Sequence, residues 1–167
     1  MAPPKLWGIH MGHHVGDKPI VGQYVGIGWH ELGDIRRFKD RDAIKAEMAK
    51  PEYGFEPKAI PVQAGVLFRF VHEMQKGDVV VYPSKHNRMV NIGRFTGEAA
   101  YVADDPDEYP NQRAVEWIAH FPRDQFSQSA LYEIGSAITL FLIKRNAAEF
   151  FGKIGQTVPK PTVAVDP

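Results

Sequence analysis

The segment Gly26-Ile27-Gly28-Trp29, followed by His30-Glu31-Leu32-Gly33-Asp34, sets a large indole beside polar groups in one glycine-rich loop. That combination suits a planar base that has left its duplex: the ring stacks it, and neighbouring groups read its hydrogen-bonding edge. A plain cover over the core accounts for Trp29 equally well. A second grouping is Tyr82-Pro83-Ser84, which ends an apolar run where the segment Asn91-Ile92-Gly93-Arg94-Phe95 would return. Tyr82 and Ser84 could line one pocket with Trp29. Read more plainly, residues 84–88 are polar because hairpin turns are exposed.

Phosphate contacts, which position a nucleic acid without reading it, have three candidate sources. The densest basic run holds Arg36, Arg37, Lys39 and Arg41, interleaved with Asp34, Asp40 and Asp42. A mixed solvated surface explains that interleaving too. Arg88 lies in the expected hairpin turn. Arg113 shares a period-two face with Val115 and Trp117; it either meets a phosphate or neutralises the acidic stretch at residues 104–108.

His10, His13 and His14 form a short run that could gather imidazoles around a metal. No carboxylate or Cys is fixed nearby and Gly12 implies a turn, so loop histidines are the expectation and no metal or other cofactor is assigned. No phosphate-binding glycine loop, dinucleotide fingerprint, zinc-protease helix or serine-hydrolase elbow occurs, and no catalytic residue is expected.

These groups need a scaffold, and a chain of 167 residues with 44% hydrophobic content can bury one sizeable core. Lys+Arg and Asp+Glu both number 20, so attraction to a polyanion must come from a local patch. There is no Cys, which excludes disulfides and thiolate sites and fits a cytoplasmic setting. No signal core or membrane span is expected.

Residues 5–10 and 19–29 read as strands joined by a polar loop. Residues 40–50 read as a surface helix capped by Asp40 and stopped by Pro51. Val66, Leu67, Phe70, Val71 and Met74 fall at helical spacing, and Gly77 ends that helix. Residues 78–82 and 89–95 form a hairpin that residues 97–102 extend. Another strand runs through residues 115–121. Asp124 and Ser127 offer caps for a helix through Ile134, residues 139–143 form a strand or a helix extension, and residues 147–154 close the domain. Residues 155–167 read as a proline-rich linker or tail. The fold class expected is α+β, a small curled sheet or open β-barrel flanked by helices.

Trp7 with Ile9, Gly28-Trp29 with Leu32-Gly33-Asp34, Ala64-Gly65 with Phe70, Gly77-Asp78 with Val80, Ile92-Gly93, Arg113-Val115-Trp117 and Arg123-Asp124 with Ser127 and Gly135 follow one another in an order that resembles a known family. It is the N-terminal domain found ahead of the nuclease domain in many Mrr-type restriction endonucleases. The helix, Gly-Asp, strand and hairpin portion is also similar to the PUA-like superfamily, which includes the EVE, YTH and ASCH domains. This resemblance implies a barrel that holds a modified or flipped DNA base in an aromatic pocket, with Trp29, Tyr82, Ser84 and Trp117 as pocket members and Leu32 and Asp34 on its rim. A nuclease domain would belong to a longer, type IV restriction parent. Two other classes stay open: a nucleotide or signal-ligand sensor controlling a tethered effector, and an assembly domain that dimerises through the apolar region around Phe141, Phe150 and Phe151.

Overall fold

The computed structural model describes residues 3–155. Its organising pair is parallel: β1 (Leu6–Ile9) lies beside β3 (Val79–Pro83), with Leu6 opposite Val79 and Gly8 opposite Val81. Parallel neighbours require a long crossover. Here it carries α1 (Lys18–Val21), β2 (Tyr24–Ile27), α2 (Arg41–Met48) and α3 (Ile60–Phe68). Asp78 fastens the pair at its start. Its carboxylate accepts from the Trp7 indole Nε1, from the Lys5 backbone N and from the Gln75 backbone N, each at 3.0 Å.

The remaining elements are β4 (Met89–Phe95), β5 (Ala100–Tyr101), β6 (Asn111–Pro122), α4 (Gln128–Ile134), β7 (Leu140–Leu142) and α5 (Ala147–Lys153). The sheet runs β2-β6-β4-β3-β1-β7, with β5 added to β6, and curls into a half-barrel with helices around it. Alternation divides its side chains between two cores. Trp7, Ile9, Val80, Tyr82, Phe95 and Val115 pack with Ile44 of α2 and Leu67 of α3. Leu6, Val79, Val81, Val90 and Ile92 pack with Ile134 of α4 and Phe150 and Phe151 of α5. A bulge between Ile92 and Gly93 shifts the pairing of β4 with β6. Only glycine fits at position 93, because a Cβ there would lie 2.5 Å from Val115 Cγ1 and 2.9 Å from Trp117 Cε3.

The caps expected from sequence are present: Asp40 accepts from Ala43 N at 2.8 Å, and Ser127 Oγ from Ala130 N at 3.1 Å. Other elements differ. The expected strand over residues 19–29 shrinks to β2, because Pro19 opens the short helix α1 and Trp29 takes a left-handed backbone, φ 62°. The helix ending before Gly77 breaks into α3 and a π-helical turn, Arg69–Glu73. Within residues 97–102, the strand β5 pairs with β6 instead of extending the β3–β4 hairpin. The expected tail lies, beyond Gly155, outside the described residues. Among those described, no helix is long and apolar enough to cross a membrane.

Asp78→Ala removes a carboxylate that accepts three N–H groups and strands the buried Trp7 indole. The expected cost is about 3 kcal/mol in urea unfolding, from charge-assisted bonds lost and a donor orphaned. A loss below about 1 kcal/mol would show that the clasp does not set the β1–β3 pairing.

Candidate ligand-binding site

The residues expected to form one aromatic pocket occupy two places. Tyr82 and Trp117 meet, with ring centroids 6.0 Å apart, and Ser84 joins them through Asn91, whose Nδ2 donates to Tyr82 O at 2.8 Å and Ser84 Oγ at 3.0 Å. This end of the half-barrel is closed. Tyr82 is 1% exposed, and burial pushes its phenol above the ordinary range. The segment after β1 covers it: Met11 and Val15 are buried in the same core, and Trp117 Nε1 donates to Pro19 O at 3.0 Å. That segment is held in turn by Tyr109, whose hydroxyl accepts from Gly12 N at 2.7 Å, and by an ion pair of Lys18 with Asp107 at 3.0 Å.

Trp29 lies elsewhere, half-buried, with its Nε1 donating to Gln63 Oε1 of α3 at 3.3 Å. Leu32 is a core residue and offers no rim. Asp34 caps its own turn and grips Arg36, with Nη2 to Oδ2 at 2.8 Å; that guanidinium holds the Asp34 carboxyl below its usual range. Arg37 donates to Leu32 O at 2.9 Å. The basic run is thus largely consumed internally, with Lys39 left exposed. Arg113 is 1% exposed and donates to Phe70 O at 2.9 Å, so it reaches no phosphate. Its alternation with Val115 turns it inward, and the π-helical turn presents the carbonyl that receives it.

Open space exists at the other face. Because Leu6 pairs with Val79, the residue following β1, His10, falls beside Pro83 and Ser84 at the end of β3. Between them is a pocket of about 230 Å³. Its wall comprises His10, the turn residues Ser84, Lys85 and Arg88, Arg123 after β6, and the end of α4 at Ile134-Gly135. A hydrogen-bonded chain shapes the turn: Ser84 Oγ donates to Asn87 Oδ1, which also accepts from Met89 N at 3.1 Å, while His120 Nδ1 donates to Asn91 Oδ1 at 2.8 Å. The Ser84 hydroxyl proton is therefore committed to the turn. Among the described residues no carboxylate pairs with Lys85, Arg88 or Arg123. In a chain of zero formal charge, these three unpaired cations make a local positive field.

His10 faces that field. Gly8 lets Phe141 lie across β1, since a Cβ there would fall 2.4 Å from the Phe141 ring, and the His10 ring packs 5.6 Å from it. Burial first, then the nearby Lys85 ammonium, lowers the imidazole pKa, while the carbonyls of Ser136 and Ile134 oppose that shift. Nε2 is buried without a partner. The wall can thus attract one or more negative charges.

His10, Lys85 and Arg123 were not assigned to a ligand site by sequence reasoning. His10 entered only as a metal candidate with His13 and His14; the structure sets His14 against Tyr109 at 5.8 Å and leaves His13 exposed. The signal available was positional: Lys85 and Arg88 flank Ser84, and His10 ends a strand.

The fold and pocket define a curled α+β half-barrel with a cationic cleft at the shared end of two parallel strands. The chain belongs to the family described as "Domain of unknown function (DUF8426)", whose model matches residues 7–141. A comparison with curated proteins finds no match. The crystal structure of an Agrobacterium tumefaciens protein is similar over 93% of this chain and 96% of that one, at 9% identity and a TM-score of 0.39.

The depressed His10 pKa favours the neutral imidazole in the fold. Stability from this source is complete above the unfolded value of 6.5 and declines as pH falls below it. In NMR titration the His10 midpoint is expected below 6.5, to rise when inorganic phosphate is added, and to lose that phosphate response in the Arg88→Ala, Arg123→Ala double variant. A midpoint at or above 6.5, or one indifferent to phosphate, would contradict the pocket's electrostatics.

Proposed function

We propose that this domain binds nucleic acid and takes one base into the His10 pocket. The observation that carries the reading is the pocket itself: an open site walled by His10 and by three cations lacking carboxylate partners. At about 230 Å³ it is smaller than the ~300–1,000 Å³ of drug-sized sites and suits one planar group. The base rests against the His10 imidazole, and Lys85, Arg88 and Arg123 meet the flanking phosphates.

The surface beyond Gly135 supports an adjoining nucleotide. A second hollow shares Gly135 and is lined by Tyr132 and Arg145. Tyr132 is 86% exposed and can offer its ring to a base; stacking contributes about 1–3 kcal/mol per base. The reading keeps base recognition, as the resemblance to PUA-like and Mrr-type domains implies, and moves the base from Trp29 and Tyr82 to the other face of the sheet, beside His10. Selection by modification state, with cleavage delegated to an effector domain, is the role it would serve.

The test is binding of short DNA duplexes and single strands, unmodified and carrying methylated or hydroxymethylated cytosine or methylated adenine, across a salt series. Oligonucleotide affinity should fall steeply with salt, and each of Arg88→Ala and Arg123→Ala should reduce the log–log slope by about 1. His10→Ala should erase discrimination between bases, while Trp29→Ala should preserve it. Loss of discrimination in Trp29→Ala alone would return the base to the aromatic loop; binding of a mononucleotide with no oligonucleotide affinity would make the domain a nucleotide sensor.

A further inference from the structure

Two guanidiniums converge over a bare stretch of α3. Gly65 is buried, and a Cβ there would stand 3.3 Å from Arg41 Nη1 and 3.9 Å from Arg69 Nη1. Glycine at this position lets Arg41, from the start of α2, and Arg69, from the π-helical turn, close over the helix backbone. The Phe68 ring, 5.3 Å from the Arg41 guanidinium, helps hold it there. Like charges gathered this way repel unless an anion joins them. Glu73 is the carboxylate ion-paired with both, and its contacts are long, 3.5 Å to Arg41 and 3.8 Å to Arg69. A well-formed charge-assisted bond spans ~2.7–2.9 Å, as Arg36 achieves with Asp34 at 2.8 Å. The donors of this pair are therefore underused.

Both guanidiniums line a cleft of about 580 Å³ between α3 and β7. Lys144, just past β7, adds a third cation to its wall, and no ion pair among the described residues engages it. None of the lining residues is acidic. With Glu73 set against the three cations, two positive charges are left over. The rest of the wall is apolar, and it includes two exposed side chains, Val62 at 56% and Ile138 at 43%. The volume falls within the ~300–1,000 Å³ of small-molecule sites.

We infer that the cleft between α3 and β7 binds a phosphate monoester carried on an apolar or aromatic body. The nearly dianionic phosphate matches the surplus of two positive charges, which a singly charged diester does not. The planar forks of Arg41 and Arg69 take its oxygens, Lys144 adds a mobile point charge, and Val62 and Ile138 cover the carbon side. The group can arrive on a free small molecule or as the terminal phosphate of a strand, and the recognising chemistry is the same. This site is separate from the His10 pocket and does not rest on the base reading.

The experiment is calorimetric titration of the full chain carrying Arg88→Ala and Arg123→Ala, which removes two cations of the His10 pocket. Phenyl phosphate and adenosine monophosphate should both bind. Adenosine, and the methyl diester of adenosine monophosphate, should bind at least about tenfold more weakly. In NMR the monoesters should shift the Arg41 and Arg69 Nε–H signals and the Gly65 amide. Arg69→Gln and Lys144→Gln should each weaken the monoesters at least about fivefold. Gly65→Ala fills the space beneath the guanidiniums while suiting a helix interior, so weaker binding in that folded variant reports on the site and not on the fold. His10→Ala should leave monoester binding unchanged, which separates this result from any failure of the nucleic-acid reading. A tetranucleotide that gains as much from a terminal phosphate as adenosine does would identify a strand end as the source; a gain confined to the mononucleotide would identify a free ligand. Equal binding of monoester and diester, indifference to both Arg69→Gln and Lys144→Gln, or no binding of either monoester would each overturn the proposal.

Discussion

Everything at the candidate site depends on one carboxylate. Asp78 ties the Trp7 indole, the start of β1 and the turn before β3 into a single knot, and in doing so fixes the parallel register Leu6 to Val79. A slip by one residue would exchange every inward side chain of the strand for an outward one. Trp7 and Ile9 would leave the inner core, and His10 would no longer face the outer pocket beside Pro83. The site is thus a consequence of strand pairing made some distance away, at the opposite end of the same two strands.

The half-barrel spends its polar side chains in two different ways. Around β6 and the segment after β1, they are taken up inside the fold: Arg113 Nη1 donates to the Phe70 carbonyl while its Nε stays buried without a partner, Asn111 bonds Ile35 N at 3.1 Å and Gly33 O at 3.0 Å, and Asp34 bonds Arg36. Around the β3–β4 turn the network of Ser84, Asn87, Asn91 and His120 satisfies itself and leaves Lys85 and Arg88 pointing outward without acids. The first arrangement holds a fold together. The second holds charge apart from its counter-charge, which costs stability in isolation and is recovered when an anion arrives.

Local signals were legible in the sequence where the chain decides structure locally. Asp40 and Ser127 cap the helices expected of them, and the alternation in residues 89–95 reproduces β4. The α+β curled sheet followed from the order of those elements. Pro19 was a visible helix opener inside an apolar run that read as strand. The site was less legible because it is made by pairing at long range: His10 and Ser84 are neighbours only through the β1–β3 register, and Arg123 and Gly135 arrive from beyond β6 and α4. Burial also reversed the apparent meaning of residue types. Tyr82 and Arg113 have the chemistry of ligand contacts, yet their strand parity with Val80 and Val115 directs them into the inner core.

The most direct test is NMR mapping with a short DNA duplex carrying one unpaired, extrahelical base, titrated into the isotopically labelled full chain. The account predicts that the largest shifts fall on His10, Ser84, Lys85 and Gly135, with smaller ones at Tyr132. Shifts centred on Gly28, Trp29 and Gln63, or none at any ratio, would contradict it.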